Sequence, residues 1–240
     1  MIYKCKYRIG LTDVGMSNLI TNKAILKVFE NAGGMHSELV GYGLNNIEKT
    51  GLSWVLLGWK VKVINRPKYN TEIEIHTWAR DSNKISTYRD FEIYDERGNL
   101  LIIATSKWIL VDLNKEKMVE LSPEIINLYQ KEEKCVFEDR TIQKLKEPNL
   151  YSNQISYPIL RSDIDINNHV HNLYYLDFAY EALPENVYRS KECNNIEIMY
   201  KKQIKLGDKI ICKYSKEENS NFVTIKSDDN KILHAIIKLY

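Results

Sequence analysis

At 240 residues the chain can form one large domain or two small ones with a substantial core. Apolar residues make up 44% and charged residues 28%, and the net charge is only +2, which excludes the basic excess of a nucleic-acid-binding chain but leaves room for a local basic patch against an acidic partner. No run approaches the ~20 apolar residues of a membrane span. The four cysteines (Cys5, Cys135, Cys193 and Cys212) are scattered with no CxxC pair, which points to reduced thiols and a cytoplasmic protein.

In chain order, MIYKCKYRIGL alternates like a strand and lacks the apolar run of a signal peptide. A polar turn then leads into a helix whose apolar face carries Ala24, Ile25, Val28, Phe29, Ala32, Met35 and Leu39 at a 3.6-residue period. The Gly33-Gly34 pair argues against one straight helix. Strands are expected over 52–65, 71–80, 85–95 and 99–112, where TEIEIHTW alternates with period two and DERGN supplies a hairpin turn. The charge-dense KEEKCVFEDRTIQKLKEPN reads as a linker over 131–150 that crosses the surface. Past it the pattern returns. A second helix places Leu173, Leu176, Tyr180 and Leu183 at spacings of three and four, and Pro184 ends it. Strands are expected over 193–204, 208–216, 221–228 and 231–239, with LGD and SDDNK as turns.

The recurrence is a repeat. Offset by 150, residues 8–32 and 158–182 align without a gap and share six identities in 25: Ile9/Ile159, Asp13/Asp163, Asn18/Asn168, Asn22/Asn172, Leu26/Leu176 and Ala32/Ala182. The same kinds of element follow both segments, and GNLLIIA of 98–104 echoes DNKILHA of 229–235. One long helix plus four or five antiparallel strands, used twice, predicts an α+β fold in which a curved sheet wraps each helix, with domains over 1–130 and 151–240.

The copies diverge where chemistry is available. Asp165, Asn167 and His169 stand where the first copy has Gly15, Ser17 and Leu19. An extended segment would point all three to one side, and the unpaired N–H groups of the following helix start could hold an oxyanion. Asp and Asn ahead of a helix are also ordinary caps; against that, both helices need a cap and only one has the trio. His169, His171 and Asp165 could also be read as metal ligands, but no further cluster has ligand spacing, so neither a metal nor a cofactor is expected.

RSDIDINNHVHNLYYLDFAYEALP resembles the strand–turn–helix signature of acyl-acyl carrier protein thioesterases of the plant plastid type and their bacterial relatives, and GLSWVLLGWKVKVINRPKYNTEIEIHTWARDSNKISTYRDFEIYD with ATSKWILVDL resembles that family's first domain. The likeness covers most of the chain and is weakest in the linker. It implies a double hotdog fold, hydrolysis of fatty acyl thioesters on acyl carrier protein to release free fatty acid, an N-terminal domain that binds the acyl chain and a catalytic C-terminal domain. The family's Asp-x-Asn-x-His motif falls on Asp165, Asn167 and His169. Its further glutamate follows an aromatic-basic-basic run in the next strand; here that run is Tyr200-Lys201-Lys202 and the residue is Gln203, which can orient water but cannot act as a base. The family's neighbouring cysteine falls on Ile204, which excludes a Cys–His mechanism at that position. Within this reading His169 exchanges protons, Asn167 fixes the substrate or the attacking group, and Asp165 activates water or attacks the carbonyl directly.

Trp54, Trp59 and Trp108, within an apolar-rich first half, are candidates for the acyl slot, although such residues are more often simply core. Lys201, Lys202 and Lys205 are candidates for docking the acidic carrier protein or its phosphopantetheine phosphate. The resemblance implies a homodimer or a self-contained pseudo-dimer. Two rivals remain: a thioesterase acting on coenzyme A esters, and a non-catalytic acyl-binding protein of the same fold, which the loss of the glutamate makes worth testing.

Overall fold

The computed structural model describes residues 1–189 and 193–240, and the chain divides into two compact units, Met1–Ile142 and Gln143–Tyr240. In the first, strand β1 (Tyr3–Arg8) precedes helix α1 (Asn22–Leu39) and the single turn α2 (Ile47–Thr50). Strands β2 (Leu52–Val63), β3 (Glu72–Ser82), β4 (Thr87–Asp95), β5 (Leu100–Asp112) and β6 (Lys117–Val119) follow, then helix α3 (Pro123–Leu128). The antiparallel sheet runs β1-β3-β4-β5-β2, with β6 paired to β5.

The second unit repeats the plan with β7 (Asn153–Pro158), α4 (Tyr174–Ala182), the short α5 (Glu185–Arg189), β8 (Asn195–Tyr200), β9 (Lys209–Glu217), β10 (Ser220–Ser227) and β11 (Leu233–Leu239). Its sheet runs β7-β9-β10-β11-β8, so the two strand orders correspond one to one. The structural correspondence also corrects the echo of 98–104 in 229–235. The Ile64 N–H bonds Leu101 O as the Lys201 N–H bonds His234 O, so His234 answers to Leu101 rather than to Ile103. A slip of two residues keeps every side chain on its own face, so alternation cannot detect it.

Helix α1 is continuous through Gly33-Gly34, against the expectation from sequence. Gly33 has a packing reason: a Cβ there would stand 3.3 Å from Arg89 Cδ, so its absence lets the Arg89 side chain lie against the helix. Around it the first core is aromatic. Phe29 stacks with Trp59 at 6.0 Å and meets Phe91 at 4.8 Å, and Trp59, Trp78, Phe29 and Phe91 are fully buried. The second core joins aliphatic strand residues, among them Ile196, Ile198, Ile210, Val223, Ile225 and Ile237, to Tyr175 and Phe178 of α4. Helix α4 is half as long as α1, because Pro184 forbids continuation and Leu183 is already extended.

The expected linker is anchored to the first unit as far as Ile142. The Val136 N–H donates to Asp90 Oδ2 (2.9 Å), Lys134 pairs with Glu92 (2.7 Å) and Arg140 pairs with Asp81 (2.6 Å). The buried Arg80 guanidinium pairs with Asp90 (3.2 Å) and also donates to the Arg140 carbonyl. These bonds fasten the segment across β3 and β4, so the boundary between units falls at 142/143, inside the stretch that reads as linker.

Candidate active site

The segment carrying Asp165, Asn167 and His169 is a tight turn, not the extended strand that period-two spacing suggested. Ile164 bridges Val170, the Asp165 N–H donates to His169 O (2.8 Å), and the Asn168 N–H donates to Asp165 O (3.1 Å). Asn168 sits at φ 60°, in the left-handed region that asparagine tolerates well. Asp165 and His169 oppose each other at the base of the turn, so their side chains leave the same face of the hairpin while Asn167 occupies its tip. Asp165 Oδ1 accepts the N–H groups of Asn167 (2.8 Å) and His169 (3.2 Å), which pins the carboxylate and leaves Oδ2 outside those bonds. Asp165 and His169 are half-buried and Asn167 is exposed.

The first unit builds the same turn without this chemistry. Its Gly15 N–H donates to Leu19 O (3.0 Å), its Asn18 N–H donates to Gly15 O (2.9 Å), and Asn18 lies at φ 58°. The turn therefore closes with glycine where the second copy has Asp165, so capping the turn does not require a carboxylate. The repeat identities themselves are scaffold. Asp13 Oδ2 accepts the Gly10 N–H and Asp163 Oδ2 the Leu160 N–H, each at 2.8 Å; Asn18 and Asn168 take the left-handed position; Leu26, Leu176, Ala32 and Ala182 are buried.

Gln203 lies outside any strand, since β8 ends at Tyr200. The Val170 N–H donates to Ile204 O (2.9 Å) and His169 bridges Lys205, which brings the loop carrying Gln203 alongside the turn. Gln203, Lys201, Lys202 and Lys205 are all exposed. The Lys205 N–H donates to Asp208 Oδ2 (2.8 Å), which ties off the end of that loop.

Part of the helix start is already engaged. Helix α4 begins five residues beyond His169, and His171 takes two N–H groups at its start: Nδ1 accepts the Leu173 N–H at 3.3 Å and its carbonyl accepts the Tyr174 N–H at 3.0 Å. In the first unit Thr21 does this work, its hydroxyl accepting the Ala24 N–H. Cys212 lies in β9, fully buried, and burial pushes its thiol up to about 12, far from a reactive thiolate.

Two polar residues of this neighbourhood were missed on sequence. Tyr175, on α4, is buried where the first copy has Ile25, so the 150-residue alignment already displayed the change. His234, on β11, is buried and donates from Nδ1 to the Lys202 carbonyl (2.9 Å); its counterpart Leu101 was hidden by the two-residue slip.

The three tryptophans differ in role. Trp59 is fully buried against Phe29 and Phe91, and its indole N–H has no hydrogen-bond partner among the described residues. Trp54 and Trp108 are half-buried and donate to the Tyr129 hydroxyl (2.9 Å) and Ser106 Oγ (2.6 Å). Beside Trp54 lies a buried polar group: the Arg89 guanidinium donates to His36 Nδ1 (2.9 Å) and Thr77 Oγ1 (3.2 Å), and Tyr129 donates to Ser37 Oγ (3.1 Å).

A helix wrapped by an antiparallel sheet, built twice in one chain, is the double hotdog fold. Among solved structures, a 12:0-ACP thioesterase from Umbellularia californica superposes with a TM-score of 0.88 at 18% identity, covering 99% of this chain and 96% of that one. An acyl-ACP thioesterase from Bacteroides thetaiotaomicron gives 0.85 at 22% identity, with the same coverage. By sequence, the family model for the acyl-ACP thioesterase N-terminal domain matches residues 1–129, and that for the C-terminal domain matches residues 146–238. The chain belongs to the acyl-ACP thioesterase family. Chloroplastic oleoyl-acyl carrier protein thioesterases of Coriandrum sativum and Arabidopsis thaliana are 26% and 25% identical over 223 residues. Those alignments cover 86% of this chain but only 60% and 61% of the plant proteins.

Proposed function

We propose that this protein hydrolyses fatty acyl thioesters carried on acyl carrier protein, releasing free fatty acid and ending chain elongation. The observation that carries the reading is the asymmetry between two otherwise matching turns: one closes on Gly15 and Leu19, the other sets a pinned carboxylate opposite an imidazole. In this reaction the carbonyl carbon gains an oxygen from water, the C–S bond breaks, and the thiolate leaves with a proton.

His169 exchanges the proton between the attacking water and the departing sulfur. Asp165 acts on the water through Oδ2; a carboxylate held by two N–H donors at Oδ1 suits a fixed base better than a nucleophile that must reach the carbonyl carbon. Asn167, at the tip of the turn, fixes the carbonyl, and the Gln203 amide orients the water. Single-turnover hydrolysis in oxygen-18 water tests the route: label in the fatty acid alone supports it, and label in the Asp165 carboxylate contradicts it.

The exposed ammonium groups of Lys201, Lys202 and Lys205 suit docking of an acidic carrier or its phosphopantetheine phosphate. In the first unit the half-buried Trp54 and Trp108 would line the slot for the acyl tail, each buried methylene contributing roughly 0.8 kcal/mol, while Trp59 serves the core. Cysteines left as thiols suit a reducing, cytoplasmic setting. Hydrolysis of one acyl chain on carrier protein and on coenzyme A, repeated over a series of chain lengths, tests the reading. Carrier-bound substrate should turn over faster, with a rate that falls as salt is added; faster turnover of the coenzyme A ester, or binding without turnover, would reject it.

A further inference from the structure

The loop that carries Gln203 is clamped on both sides by residues with no assigned role. On its N-terminal side the Lys201 N–H donates to the His234 carbonyl (2.8 Å), and His234 Nδ1–H donates back to the Lys202 carbonyl (2.9 Å). On its C-terminal side the Ile204 carbonyl accepts the Val170 N–H (2.9 Å), and at its start the Tyr175 ring stands edge-on to Tyr200, ring centroids 5.2 Å apart. His234 and Tyr175 are each 3% exposed, and Ile204 is wholly buried. The backbone on either side of Gln203 is thus held by buried groups, and the exposed amide stands between two fixed points. The bond to a carbonyl also sets the His234 tautomer, with the proton on Nδ1.

The first unit shows what this clamp is not needed for. Its loop is docked in the same way, with the Ile64 N–H on Leu101 O (2.8 Å) and the Ile20 N–H on Pro67 O (3.0 Å). There the position of His234 is Leu101, that of Tyr175 is Ile25, and that of Ile204 is Pro67, which has no N–H to offer. The position of Gln203 is Arg66, whose guanidinium is drawn inward to Ile20 O (2.9 Å) and Asn22 Oδ1 (2.7 Å). The scaffold therefore closes this loop without a phenol or an imidazole at these places. Both occur together in the unit that carries Asp165 and His169, around a side chain that faces outward instead of inward.

We infer that His234 and Tyr175 are positioning residues that hold Gln203 in register with Asp165 and His169. This rests on the proposed hydrolysis. Neither residue need touch substrate: His234 fixes the Lys202 carbonyl next to Gln203, and Tyr175 packs on Tyr200, the residue at which the loop begins. A shift of about 1 Å in a positioned group is enough to cost roughly 100-fold in rate.

A double-mutant cycle on the full-length protein tests it, with kcat and KM for acyl carrier protein substrate and the thermal midpoint as readouts. His234→Leu and Tyr175→Leu should each lower kcat about tenfold with little change in KM. His234→Asn, which keeps an N–H donor near the Lys202 carbonyl, should recover most of the loss. In a Gln203→Ala background His234→Leu and Tyr175→Leu should cost nothing further. Losses of equal size with Gln203 present and with Gln203→Ala in the background would overturn the inference, as would an unchanged kcat in both single variants. If His234→Leu does not fold, His234→Asn and Tyr175→Leu decide the matter by the same cycle. Absence of hydrolysis by the unaltered protein would instead reject the proposed function, so the two failures are told apart.

Discussion

The two units share a strand order, a turn and a left-handed asparagine, yet one has a long helix over a tryptophan-rich core and the other a short helix behind a polar turn. In the first, α1 runs 18 residues over a core of Phe29, Trp59, Trp78 and Phe91. In the second, α4 runs 9 residues, and acid, amide, imidazole and phenol replace glycine, serine, leucine and isoleucine. The shared plan thus goes with bulk in one unit and with polar side chains at the turn of the other. The backbone that both need is maintained by the few identical residues that cap, turn or pack.

The sharpest break in that comparison comes from the chemistry itself. His169→Ala should reduce turnover by about 10²–10⁴-fold while thermal unfolding stays near that of the unaltered protein. Loss of folding in step with activity would make His169 a structural residue instead. On the other side, Asp90→Ala should unfold the first unit preferentially. It leaves the buried Arg80 guanidinium without its counter-charge and frees the Val136 N–H, at a cost of roughly 3–5 kcal/mol. Denaturant titration followed by tryptophan fluorescence reads this directly, because all four tryptophans lie in that unit.

Acid should also separate the units. Burial, reinforced by the Arg89 guanidinium, pulls the His36 imidazole from its ordinary 6.5 to about 3. Below pH 6.5 the unfolded chain takes up a proton that the folded unit refuses. The stability His36 contributes is therefore complete above pH 6.5 and is lost as pH falls toward 3. Amide exchange in α1 should accelerate between pH 7 and pH 4, after correction for intrinsic rates; unchanged protection would contradict the assignment. The smallest effect concerns α1 itself. Gly34 is exposed and a Cβ there meets nothing within 4 Å, so Gly34→Ala should stabilise by up to about 1 kcal/mol. Gly33→Ala should gain less, because its Cβ crowds Arg89.

Much of this was legible in the sequence because periodicity and a gapless repeat report backbone plan directly. The strands of the first unit, the α1 face from Ala24 to Ala32 and the Pro184 stop follow from spacing. Met35 and Leu39, expected on that face, are exposed, and Gly33 and His36 are buried in the last turns instead. What spacing could not reveal was geometry set by hydrogen bonds at the turn. Asp, Asn and His at i, i+2 and i+4 look like one face of a strand, but Asp165 folds back onto two N–H groups and closes a turn. The strand expected to run to 204 ends at Tyr200, because the His234 imidazole and the Val170 N–H each take a carbonyl of the segment beyond it. Two of the helix-start donors are engaged by His171, which nothing local in the sequence shows. The Gly33 break did not occur because the missing Cβ answers to Arg89, 56 residues away in sequence.

One paired measurement reaches the central claim, that equivalent positions of the two units carry chemistry in one and only backbone in the other. Gly15 and Asp165 occupy the same place in their turns, and a Cβ at Gly15 would meet only Thr21 Cγ2, at an ordinary 3.5 Å. Steady-state hydrolysis of an acyl carrier protein thioester by Gly15→Ala and Asp165→Ala therefore puts the same side chain in both sites. Turnover preserved in the first and reduced at least about 100-fold in the second is the predicted result; equal activity in the two variants would contradict it.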